Sequence, residues 1–168
     1  MAPVRCINAR THTARSPAPP AMCYLTLLST SDDRDLSLED TPLLRFDRAL
    51  PGVPEERYLR FAHRWHVRSV ARCSCELRHL ATPTEDFGFC EPVDWFPESA
   101  DAVQATRRFA AIARALVRGG AQVDCVDAWA HGGADAAPLA GDLQVDLSRI
   151  DDAAFRFFEN HRFELTAG

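Results

Sequence analysis

The stretch YLRFAHRWHVRSVARCSCELRHL, residues 58–80, carries the strongest pattern in the chain and decides how the fold is read. Between positions 59 and 67 the odd residues are Leu59, Phe61, His63, Trp65 and Val67, and the even ones are Arg60, Ala62, Arg64 and His66. This period-2 alternation marks a half-buried strand with one face for a core and one basic face. Farther on, Cys73, Cys75, Leu77 and His79 share one parity, and Ser74, Glu76 and Arg78 the other. A second strand is predicted there, and the two strands together predict a hairpin. A one-residue slip would turn a whole strand inside out, which favours pairing Ser69 with Cys73. Val67 then faces Cys75, Trp65 faces Leu77 and His63 faces His79 on the apolar side, with His66 opposite Glu76 on the wet side.

Outward from this segment, residues 23–30 (CYLTLLST) predict a strand in which Leu25 and Leu27 share a face with Cys23. Residues 40–52 hold Leu43, Leu44 and Phe46 between Pro42 and Pro51-Gly52, which suits a brief strand or a loop packed on the sheet. On the other side, residues 81–99 interleave prolines with Phe87, Phe89, Trp95 and Phe96. So aromatic a loop must cover something, and a lid over one end of the core is preferred to a ligand-binding loop.

Ser99 then caps a helix to about Arg118, where Val103, Thr106, Phe109, Ala110, Ala113 and Leu116 recur at helical spacing and Gly119-Gly120 stops it. Residues 122–128 (QVDCVDA) predict a strand. Residues 129–141 are rich in small residues, and Leu143, Val145 and Leu147 alternate as a further strand. Asp151 is placed to cap a second helix through Glu159, and Phe163 and Leu165 predict a closing edge strand. The expected class is α+β: an antiparallel or mixed sheet built on a central hairpin, with about two helices packed on one face.

With 168 residues the chain can bury a sizeable core as one domain. Residues 1–21 hold three Arg, no acid and a Pro-rich end without hydrophobic periodicity. They are expected to be a disordered extension ahead of a single domain spanning 22–168, with Met1 and Met22 as the alternative starts. Hydrophobic content of 46% and charged content of 26% are ordinary for a globular protein, and no apolar run approaches the ~18 residues of a membrane helix. A soluble, cytoplasmic protein is expected, with no membrane partner.

All 19 basic residues are arginine. The net charge of -5 is unevenly spread, with eight Arg against four acids in residues 45–80 and seven against fifteen in residues 81–168. The even-numbered row Arg60, Arg64, His66 and Arg68, extended by Arg78, forms a candidate anion-binding strip, since guanidinium forks match phosphate and carboxylate. The aromatics Phe61 and Trp65 lie on the other face, which argues against nucleic acid. Trp95 in the aromatic loop, and Asp127, Trp129 and His131 at a strand end, are further ligand-binding candidates.

Six cysteines in a chain of this kind point to reduced thiols rather than a disulfide framework. Cys73-Ser74-Cys75 is the most pointed local feature, because thiolates bind soft or borderline cations. No paired zinc-finger spacing accompanies it, and Cys75 and His79 would stand ~13 Å apart along an unbroken strand. Any further donor must come from elsewhere, Cys90 and Cys23 being candidates, with His63 and His79 as a second weak pair. Core packing is therefore the preferred role for the two cysteines, with no metal expected.

Two functions remain in view. The first is a non-catalytic binding or interaction module for a small anionic ligand or a protein. The rival is a thiol-dependent metal-binding or catalytic protein centred on Cys73 and Cys75. Sulfurs buried among Leu and Val would favour the first, and a solvent-open pocket containing these sulfurs and converging with His or Cys90 would favour the second.

Overall fold

The computed structural model describes residues 23–69, 73–83, 88–130 and 134–168. The N-terminal segment expected to be disordered lies outside these residues, as do Phe87 and His131. The strands are β1 (Tyr24–Thr30), β2 (Arg45–Asp47), β3 (His63–Arg68), β4 (His79–Leu80), β5 (Val123–Trp129), β6 (Gly141–Asp146), β7 (Phe157–Phe158) and β8 (His161–Thr166), and the helix is α1 (Ala100–Arg118). Six strands form a mixed sheet in the order β2-β3-β1-β5-β8-β6, and β4 and β7 make a separate two-stranded parallel ribbon.

This is a mostly-sheet fold, which corrects the α+β expectation. Among the described residues one α-helix accompanies the sheet, not about two. The missing helix is the one expected over residues 151–159. Asp151 does accept the Ala153 amide through its side chain and the Ala154 amide through its carbonyl, so a first turn is present. It goes no farther because Phe155, Phe157 and Phe158 are all buried, and the chain there pairs with β4 instead of coiling. The Phe157 amide bonds the Arg78 carbonyl and the Glu159 amide bonds that of Leu80.

The hairpin expectation is also corrected. Ser69 and Cys73 do meet, through an amide-to-carbonyl bond of 2.8 Å. Beyond Cys73, however, the chain turns, and the Leu77 amide closes on the Ser74 carbonyl. The neighbours of β3 are β1 and β2, with Leu28 opposite Trp65 and Phe46 opposite Val67.

Strand β1 holds an inner place because it is apolar on both sides. Leu28 joins the larger core with Trp65, Cys125, Phe163 and the α1 residues Phe109, Ile112 and Leu116. Its neighbour Leu27 joins Leu59, Val126 and Ala128 in a smaller core on the opposite face. A strand with one basic face belongs nearer an edge, where β3 sits, shielded only by the short β2. The strand expected at the edge, β8, lies between β5 and β6, and β6 is the edge.

Helix α1 forms where the spacing predicts. The Ser99 side chain accepts the Ala102 amide at its start, and Gly120, at φ +91°, ends it as the Ala121 amide bonds the Leu116 carbonyl. In the loop before it, the Phe89 ring packs 4.9 Å from Phe158 and 5.6 Å from Phe155, closing the aromatic end of the core, while Trp95 is 69% exposed. No helix among the described residues is long and apolar enough to cross a membrane.

Candidate metal centre

The Cys-Ser-Cys turn is built around Ser74, which is fully buried. Thr26 of β1 and Val67 of β3 are partners in register. The Ser74 hydroxyl stands between them, accepting the Thr26 amide at 2.7 Å and donating to the Val67 carbonyl at 2.6 Å. The Ser74 amide bonds the Tyr24 carbonyl at 2.9 Å, and its own carbonyl accepts from Leu77 and from the His79 ring. Every polar atom of Ser74 is thus used, which fixes the flanking cysteines against the start of β1. Cys23 immediately precedes β1, held through its carbonyl by the Ala130 amide.

The result is that the sulfurs of Cys23, Cys73 and Cys75 all lie within 4.8 Å of one another. Cys73 is buried, while Cys23 and Cys75 are half-buried. A hydrogen bond with Cys73, followed by burial, pushes the Cys75 thiol well above the ordinary thiol range, against a smaller opposing pull from the Tyr24 amide. The Cys75 thiol therefore holds its proton more firmly than an ordinary thiol. A cation binding there must displace protons, a common property of thiolate sites.

Beside the cysteines lies a buried ionic pair. The His79 Nδ1 is 2.8 Å from Asp127 Oδ2 and its Nε2 is 2.6 Å from the Ser74 carbonyl. The Ser74 carbonyl accepts, as does Asp127 when ionised, so this geometry favours donation from both ring nitrogens, the imidazolium form. Burial opposes that charge, but the Asp127 carboxylate and the bonds to Asp127 and Ser74 outweigh it and raise the pKa. Asp127 also accepts the Thr26 hydroxyl at 3.0 Å. Tyr24 stacks on the imidazolium at 3.9 Å with the rings 4° from parallel, and its hydroxyl donates to Glu159. Burial, then Glu159, raise the Tyr24 phenol. Trp129 packs edge-on against Tyr24 at 4.6 Å.

A groove of about 450 Å³ opens next to this assembly, and Cys75, Glu76, Arg78, His79, Phe96 and Asp101 are among the residues that line it. Arg78 is a strut in its wall. Its guanidinium bonds both Glu98 oxygens at 2.9 and 2.6 Å and the carbonyls of Cys90, Phe155 and Ala153. Glu98 takes Arg156 as well, at 3.1 Å.

The structure separates the other sequence candidates from this centre. Arg78 is buried, a correction to its place on the wet strip. Arg60 lies ahead of β3 and pairs with Asp142 and Glu164 at 3.4 and 3.3 Å, and Arg68 pairs with Asp47 at 3.0 Å. Arg64 bonds the carbonyls of Leu59 and Phe61. His66 is buried at 6% exposure, and burial, with Arg68 nearby, lowers its pKa. The strip is therefore largely matched by neighbours. His63 stands opposite Thr30, not His79, which removes the proposed histidine pair. Cys90 is outside the three-sulfur group, and its carbonyl serves Arg78.

Sequence reasoning missed the His79–Asp127 pair and the role of Ser74. The first joins residues 48 positions apart through strand order, and no local signal announces it. Comparison with family models, curated proteins and solved structures found no match for this chain.

Proposed function

We propose that the protein is a thiolate metal-binding protein, holding a soft or borderline cation such as copper(I) or zinc on Cys23, Cys73 and Cys75. The observation that supports this reading most directly is the convergence of three sulfurs within 4.8 Å from two separate parts of the chain. All-sulfur donor sets select copper(I), zinc and similar ions. The site is also rigid, because Ser74 ties the turn to both β1 and β3, and a preformed set of donors loses little entropy on binding. Cys75 is half-buried and lies on the groove wall, which places one of the three donors beside open space. The strip reading has weaker support, since Arg60 and Arg68 already have carboxylate partners.

The test is to purify the full chain without chelator and measure zinc and copper. About one metal ion per chain is expected, and it should be lost in the Cys73→Ala/Cys75→Ala variant. A metal-free protein that also fails to take up either ion on titration would remove this function. Metal retained by the double variant would move the site elsewhere.

A further inference from the structure

We infer that the groove beside Cys75 is the route by which a cation reaches the three sulfurs, with Glu76 and Asp101 as its electrostatic guides. This rests on the metal-binding reading above. Cys75 belongs both to the sulfur cluster and to the groove wall, whereas Cys73 is only 7% exposed. Glu76 follows Cys75 directly, Asp101 lies in the first turn of α1, and both are exposed and line the groove.

The other charged groups of the lining are held in buried ion pairs, Glu98 being shared between Arg78 and Arg156. Arg78 is matched by both oxygens of Glu98, and the His79 imidazolium is matched by Asp127. Glu76 and Asp101 are the exposed carboxylates of that lining, and both border the same concavity. A cleft lined by one sign of charge focuses the field and raises the local concentration of the opposite ion. At ~0.1 M salt the screening length is about 10 Å, comparable with the size of such a mouth, so the effect should be large at low salt and vanish at high salt. These acids would accelerate arrival without being ligands.

The probe is cadmium(II), whose thiolate complexes absorb in the ultraviolet, mixed with the full chain in a stopped-flow instrument. In the Glu76→Gln/Asp101→Asn variant, association at low salt should slow about three- to tenfold and converge with the wild type at high salt. Dissociation should not change. A control with the same change in net charge away from the groove, Asp33→Asn/Asp135→Asn, should keep nearly the wild-type rate. Equal slowing in the control, or no slowing in the groove variant, would overturn the route while leaving the metal centre standing. Failure of the wild type to bind cadmium at all would overturn both.

Discussion

Strand β5 carries two fully buried aspartates, Asp124 and Asp127, three positions apart and so on opposite faces of the sheet. Asp124 is gripped by Arg162 at 3.1 Å, by the Arg60 amide and by the Ser29 hydroxyl. Arg162 is in turn tied to Asp142 and Glu164. Asp127 holds His79 and Thr26, and His79 holds the carbonyl at the centre of the Cys-Ser-Cys turn. The same residue type, equally buried on one strand, thus has two uses. Around Asp124 the network runs through Arg162 to the carboxylates of Asp142 and Glu164 and braces the sheet. Around Asp127 it ends in a titratable ring that positions the sulfurs.

The comparison is broken most forcefully at Asp124. Replacing it by Ala leaves Arg162, whose side chain is 3% exposed, without its buried partner, and removal of one member of such a pair costs about 3–5 kcal/mol. Urea unfolding should show that loss, with metal stoichiometry unchanged in whatever remains folded. Asp127→Asn keeps the shape of the side chain and should cost less, roughly 1–3 kcal/mol. It should also weaken metal binding, because the turn loses the support of His79. Equal affinity in this variant and the wild type would show that the two aspartates differ in position only.

A pH series sharpens the same contrast. The folded pKa of His79 stands above its ordinary value of 6.5. Its contribution to stability is then fully present below the unfolded value and is lost as pH rises through the folded one. Urea midpoints of the metal-free protein should fall across that window, and the fall should be reduced in Asp127→Asn. A flat wild-type profile from about pH 6 to about pH 9 would mean that the ring is neutral. The smallest effect is expected on the outer face. Changing Arg60 and Arg64 to Gln should alter stability by under ~1 kcal/mol each, because exposed pairs are weak.

Local chemistry made part of this molecule legible. Ser99, the helical spacing through Leu116 and the paired glycines announce α1, and alternation announces β1, β5, β6 and β8. The hairpin failed because alternation reports which residues share a face but not which strand lies alongside. Cys73, Cys75 and Leu77 alternate by parity and yet belong to a turn that Ser74 pins to β1. Arg78 inherited a wet face from that same parity, whereas Glu98 and three carbonyls draw it inside. The helix expected after Asp151 lost to the burial of Phe155, Phe157 and Phe158, a tertiary demand that a good cap does not offset. Cys23 was visible as a possible donor, but its approach to Cys73 and Cys75 depends on the Ser74–Tyr24 bond.

The most direct test of the three-sulfur centre is X-ray absorption at the edge of the metal carried by the zinc- or copper(I)-loaded full chain. The account predicts a first shell dominated by three sulfurs, at ~2.3 Å for zinc, reduced to one in Cys73→Ala/Cys75→Ala or lost with the metal. A first shell made mainly of nitrogen and oxygen, unchanged by those substitutions, would contradict it.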